Sequence, residues 1–279
     1  MRVIDFHTHV FRDDMAPTVV PELARRGGIP AHYDGTVSGL IAAMDRAGIA
    51  VSVVQPVATK PTQVRSINDW VATIPRMPGA AGRFVLFGAM HPDFEDPAAE
   101  AARIAGLGMK GFKLHPEHQA FSPDDAKLAP VYEAAIANDL TILFHAGADV
   151  LHTTVTGTPI AFAGMLEAWP GLRAVLAHMG GFRVWNEVAR QLVGRDVYID
   201  TSYSLGHLCD DEFVELVRAH GASCVLFGSD GPWTDAEAEI AWLRRIGLTP
   251  QELDDILGGN AARLLGLGGD DGEESRGGA

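Results

Sequence analysis

Arg2-Val3-Ile4-Asp5-Phe6-His7-Thr8-His9 opens the chain and decides how the rest is read. Its apolar residues are β-branched or aromatic, which suits a buried strand. No Gly-x-Gly-x-x-Gly or phosphate-loop pattern follows it, which argues against an open nucleotide-binding sheet. Seven further apolar runs repeat the theme: Ala50–Val57, Arg83–His91, Met109–His115, Leu140–His145, Leu172–His178, Asp196–Thr201 and Ser223–Asp230. Helix-like segments lie between them, at Thr36–Ala47, Ala98–Gly106, Asp124–Asn138, Pro159–Trp169, Asp210–His220 and Asp235–Ile246. Thr36 and Asp210 are candidate N-caps, and Gly48, Gly106, Gly221 and Gly247 sit where helices should stop. Strand starts fall about 32 residues apart, the size of a βα unit. The strands are apolar throughout rather than alternating, so both faces are covered. Eight such units predict an α/β fold, a closed (β/α)8 TIM barrel spanning residues 1–267 as a single domain. Phe11–Tyr33 is a long connection expected to cover the barrel mouth. The acidic, Gly-rich tail 268–279 is expected to be disordered.

The chain has 279 residues and a formal net charge of −14. A surface so acidic argues against nucleic acid or an anionic membrane as partner. No apolar run approaches the roughly 18 residues of a membrane span. Asp5, His7 and His9 break any signal-peptide core. Two cysteines, Cys209 and Cys224, make no disulfide framework, so the cytoplasm is the expected compartment. A small-molecule substrate is the expected partner, and a homodimer is compatible with the composition.

Six of the eleven histidines fall at predicted strand ends. His7 and His9 end the first strand, His91 the third, His115 the fourth, His145 the fifth and His178 the sixth; Asp230 ends the eighth. In a barrel these ends form one rim, where reacting groups sit. Residues i and i+2 of a strand share a face, so His7 and His9 enter the mouth together. With His145 and Asp230 they make a set of three imidazoles and one carboxylate, suited to a divalent metal. Zinc leads that expectation, with manganese, iron or cobalt as alternatives. Any one of these residues taken alone reads as a loop cap; gathered on one rim, they read as a metal site. His91 reads as a strand terminator and Cys224 as a core residue. No Gly-x-Ser-x-Gly elbow is present.

Five stretches also carry a resemblance. Asp5-Phe6-His7-Thr8-His9, Gly111-Phe112-Lys113-Leu114-His115-Pro116, Phe144-His145-Ala146-Gly147, Ala177-His178-Met179-Gly180-Gly181 and Gly228-Ser229-Asp230-Gly231-Pro232 resemble the amidohydrolase-related family. This is the branch of the amidohydrolase superfamily that contains aminocarboxymuconate-semialdehyde decarboxylase. Gly259-Asn260-Ala261-Ala262-Arg263-Leu264-Leu265-Gly266-Leu267 resembles that branch's closing motif, with Asn260 read as a helix cap and Gly266 as its stop. The resemblance implies one divalent metal held by His7, His9, His145 and Asp230, with proton-transfer or electrostatic work for His178.

Lys113 carries three readings: a carboxylated bridge to a second metal, as in two-metal members of the superfamily; a cationic anchor for a substrate carboxylate; or a structural ion pair with Asp5 or a similar rim group. His115, Arg183, Trp185, Arg12 and Trp233 are further candidates to bind substrate, each weighed against surface pairing or packing. The leading expectation is a metal-dependent hydrolase of a small amide, ester or lactone, with Asp230 shuttling protons. The alternative keeps the site but decarboxylates an aromatic or unsaturated acid. A barrel that binds without catalysis would be expected to have lost one of these groups.

Overall fold

The structure is a computed structural model that describes residues 2–267; the expected tail at 268–279 lies outside the described residues. Eight strands form the sheet: β1 (Val3–Thr8), β2 (Ile49–Val54), β3 (Phe84–Leu86 and Gly88–Ala89), β4 (Gly111–Leu114), β5 (Thr141–Phe144), β6 (Ala174–Leu176), β7 (Tyr198–Asp200) and β8 (Val225–Leu226). Each pairs in parallel with the next. Strand β3 changes partners at Phe87, whose N–H reaches Val54 O at 3.1 Å, while Leu86 O accepts from Lys110 N at 3.0 Å. The sheet closes because Phe6 N donates to Phe227 O (2.8 Å), Asp230 N to His7 O (2.8 Å) and His9 N to Gly231 O (2.7 Å). This is the TIM barrel expected from the spacing of the apolar runs.

The two faces of each strand feed different cores. Ile4, Phe6, Val51, Val53, Phe87, Leu143, Val175, Ala177 and Leu226 fill the barrel interior. Their neighbours Ile142, Phe144, Ala174, Leu176, Val225 and Phe227 pack outward against the helices. Both sets are buried, which is why the strands read as unbroken apolar runs. Pairing of β1 with β2 slips between Asp5 and Thr8. Such a slip re-aims side chains, so Ile4 and Phe6 stay in the interior while His7 and His9 both reach the mouth.

The six expected helices form, at Val37–Ala47, Pro97–Gly106, Ala129–Ala137, Pro159–Ala168, Asp210–His220 and Ala236–Leu243. Thr36 caps the first by accepting from Gly39 N. Asp210 does not cap its helix; it is the first helical residue, and its carboxylate takes the Trp242 indole N–H at 2.7 Å. The connection 11–33 contains a helix, Ala16–Gly27, which Pro21 and the lack of a side-chain cap conceal in the sequence. Its far end delivers Tyr33, whose hydroxyl donates to His9 O at 2.7 Å.

Helical turns run on from Pro250 to Leu265, so Asn260 lies inside them rather than at a cap. Buried there, its amide donates to Ala222 O (2.7 Å) and Val225 O (2.6 Å), tying the last helix to β8. Ala261 and Leu265 of that helix join the interior cluster and close the barrel floor. Gly266 ends it in the left-handed conformation, as expected. Asn260→Ala leaves one buried and one half-buried carbonyl without this donor and should destabilise the fold by about 1–3 kcal/mol; urea unfolding monitored by circular dichroism measures the loss.

Candidate metal centre

At the C-terminal rim of the barrel the donors converge. Nε2 of His9 lies 3.0 Å from Asp230 Oδ1, and Nε2 of His7 lies 3.4 Å from the same oxygen. One ligand atom from each of the three falls within 4.8 Å of the others. The opposite ring nitrogens are already committed. His9 Nδ1 donates to Gln55 O at 2.7 Å, and His7 Nδ1 donates to Asp200 Oδ2 at 2.9 Å. With each neutral ring's proton on Nδ1, both Nε2 lone pairs face the Asp230 carboxylate. Three acceptors pointed at one another call for a cation, and the Lys113 amine, 3.2 Å from His7 Nε2, reaches only one of them. The donor set therefore fits a divalent metal.

Asp200, which the sequence reading passed over, positions the rest. It is fully buried at the end of β7. Besides His7 it accepts from His178 N (3.0 Å), Ser202 N (3.0 Å) and Ser202 Oγ. Burial works against its charge, but attraction to His7 and the hydrogen bond from it outweigh that and hold Asp200 below the usual carboxylate range. Asp230 is also held low: burial opposes ionisation, while attraction to His7 and the His9 hydrogen bond favour it. Burial, reinforced by the Lys113 charge, pushes His7 down to about 4 and keeps it neutral, the form a metal needs.

Lys113 is buried and places Nζ 3.2 Å from His7 Nε2. Burial lowers it to about 8, with Asp200 and Asp230 pulling the other way. It makes no ion pair within 4.0 Å among the described residues, with Asp5 or otherwise; the Asp5 carboxylate instead accepts from Ser229 N and Oγ.

His145 stands apart from the three donors. Its Nε2 donates to Ala148 O at 3.1 Å, which leaves Nδ1 to face His178 Nε2, also at 3.1 Å. The Ala148 carbonyl thus turns the Nδ1 lone pair of His145 toward His178 rather than toward Asp230. The other nitrogen of His178 faces Ser202 Oγ at 2.9 Å. His178 and Asp230 both hold positive φ angles, 59° and 64°, a strained backbone of the kind kept at functional sites.

A family model described as amidohydrolase matches residues 4–267. The chain belongs to the amidohydrolase family. No match was found among curated protein sequences. Three solved structures show the likeness of fold. A 5-carboxyvanillate decarboxylase from Sphingomonas paucimobilis is 18% identical, with TM-score 0.71, covering 96% of this chain and 99% of that one. A dihydroxybenzoic acid decarboxylase from Polaromonas sp. JS666, with bound manganese and 2-nitroresorcinol, is 18% identical, with TM-score 0.73 and coverage of 95% and 97%. An uncharacterized TIM-barrel protein from Bordetella bronchiseptica is 20% identical, with TM-score 0.76 and coverage of 95% and 99%.

In this amidohydrolase the remaining candidates scatter. His115 is buried in a separate group of histidines, stacked on His145 at 4.1 Å between ring centroids. Trp185 donates its indole N–H to His178 O at 3.0 Å, so it supports that residue's backbone. Arg183 is exposed and lies over the Phe182 ring, 4.9 Å from its centroid. Arg12 is exposed and paired with Asp14 in a surface hollow shared with Asp69 and Trp70. Trp233 is half-buried, and its N–H closes the turn onto Asp230 O at 2.9 Å.

Two glycines are required by contact. A Cβ on Gly147 would sit 2.2 Å from Phe182 N, and one on Gly228 would sit 2.8 Å from His7 Cβ and 3.3 Å from Asp200 Cγ. Gly228→Ala should therefore shift the His7 ring and weaken metal affinity about 10–100-fold, as loss of an orienting contact does; competition titration with a zinc chelator reads this.

The sign of the pH response also follows. As pH falls from about 6.5, the unfolded chain protonates His7 while the folded chain refuses the proton until about 4, so His7 withdraws stability across that window. In metal-free protein its imidazole NMR signals should show a neutral ring from pH 8 down to pH 5.

Proposed function

We propose that this enzyme is a metal-dependent carboxy-lyase that removes carbon dioxide from a small aromatic or unsaturated acid. The observation that carries the reading is Lys113, a buried amine beside the three metal donors with no carboxylate partner within 4.0 Å among the described residues. A substrate carboxylate supplies the missing counter-charge. A wall of aromatic rings beside His178 supports a planar substrate: Phe182 and Tyr203 meet edge-on at 5.3 Å, and Tyr203 stacks on His207 at 5.0 Å. The decarboxylases among the similar folds act, by their names, on carboxylated aromatic rings. These points favour decarboxylation over the hydrolysis that led the sequence reading.

His7, His9 and Asp230 would hold the metal, which supplies a positive centre that polarises a bound oxygen. Manganese, present in one of the similar structures, joins zinc as the first ion to test. Lys113 holds the acid end of the substrate. Asp230, ionised at rest, accepts a proton from a substrate hydroxyl or water and returns it to the ring carbon as the carbon–carbon bond breaks. His178 lies one ring away, fixed by Asp200 and Ser202, and offers a polar contact to charge that develops on the substrate.

Proton transfer of this kind contributes about 10²–10⁴-fold. Asp230→Asn should lower kcat by that range, as followed by carbon dioxide release from a panel of hydroxybenzoates. In deuterated water the product should carry one deuterium at the vacated carbon. Turnover of amides, esters or lactones with no carbon dioxide from any acid would return the site to hydrolysis.

A further inference from the structure

A second group of histidines lies at the rim, outside the three donors. It is built from two pairs of residues three apart: His115 with His118, and Asp149 with His152. His115 caps the short helix Pro116–Gln119, and the second pair lies in the loop after β5. His118, Asp149 and His152 each bring one ligand atom within 4.8 Å of the others, and His115 reaches Asp149 within the same limit. Asp149 joins the pairs. Its Oδ1 accepts from His152 Nδ1 at 2.7 Å, and its Oδ2 lies 3.6 Å from His115 Nε2.

An independent observation comes from Glu117. Its side chain is 1% exposed. Oε1 is saturated by Thr156 N (2.9 Å), Thr156 Oγ1 (3.1 Å) and Gly157 N (3.0 Å), which lock the carboxylate in place. Oε2 has no hydrogen-bond partner among the described residues. It is aimed at His115 Nδ1, 3.6 Å away. His115 is thus flanked by two carboxylates, one on each ring nitrogen, and a neutral imidazole has one proton. Whichever nitrogen carries it, the other presents a lone pair to an anionic oxygen. In the structure Nδ1 takes only a long contact from His118 N, at 3.4 Å; placing the proton on Nδ1 exchanges that contact for Glu117 and frees Nε2 to bind a cation beside Asp149. Carboxylate, histidine and metal in that order are a common support for a metal ligand. The 3.6 Å separation of Nε2 from Oδ2 exceeds a hydrogen bond yet approximates the ~3.3 Å edge of a tetrahedron with ligand bonds of about 2.0–2.1 Å.

We infer that His115, His118, Asp149 and His152 form a second binding site for a divalent transition metal, with Glu117 orienting His115. His145 is not part of it, because its ring nitrogens are taken by Ala148 O and His178. The three-imidazole, one-carboxylate set selects zinc or cobalt over magnesium or calcium.

The test strips the full-length protein with chelator, reloads it with zinc, dialyses it and counts ions per chain by elemental analysis. Wild type is compared with the His118→Ala, His152→Ala double variant, in which the fold is checked by circular dichroism. The variant should hold one ion fewer per chain. Equal metal content in the two proteins overturns the proposal. The number of ions remaining in the variant reports separately on His7, His9 and Asp230, so failure of that centre is distinguishable. Glu117→Gln should weaken the second ion's affinity about 10–100-fold, and unchanged affinity would remove Glu117 from its orienting role. Cobalt loading gives a further readout: the visible bands of a four-coordinate ion should diminish in the double variant.

Discussion

One buried carboxylate organises the mouth of this barrel. Asp200 takes the His7 imidazole from β1, the backbone N–H of His178 after β6, and both donors of Ser202 just beyond its own strand. These groups come from positions up to 193 residues apart, so the contact can form only when the sheet has closed. Its charge fixes the proton of His7 on Nδ1 and leaves Nε2 bare toward Asp230. A buried anion with this many donors is stable where an isolated one would not be. The tautomer and the orientation of His7 both descend from it.

The surrounding electrostatics are economical. Around the donors, burial depresses His7, His115 and His145 alike, so the rim presents neutral imidazoles rather than a cluster of positive charge. Lys113 stands out against that background. Carbonyl groups finish the arrangement: Gln55 O fixes His9, and Ala148 O fixes His145. Which histidine faces the metal group and which faces a neighbour is thus decided by backbone oxygens that carry no signature in the sequence.

The barrel was legible because each strand is buried on both faces and its length of apolar residues is unmistakable. The pairing of His7 with His9 and Asp230 was legible too, since strand ends and a two-residue period locate them. The slip between Asp5 and Thr8 was not, because register is a property of two strands together. Asp200 had a visible signal, lying with Ser202 at the end of the seventh apolar run, but histidine spacing drew attention elsewhere. Asn260 looked like a cap because it precedes a short apolar helix; the preceding turns stay helical, and its amide serves β8 instead. The helix at Ala16–Gly27 was hidden by Pro21.

Closure of β8 onto β1 leaves the sheet without an edge, and the helix at Asn260–Leu265 seals its floor. During synthesis the first strand therefore waits with one flank bare until more than two hundred further residues have left the ribosome. For that interval β1, rich in valine, isoleucine and phenylalanine, is an open template for pairing with a stranger. The flank left bare in that interval belongs to the very segment that later bears the histidine pair.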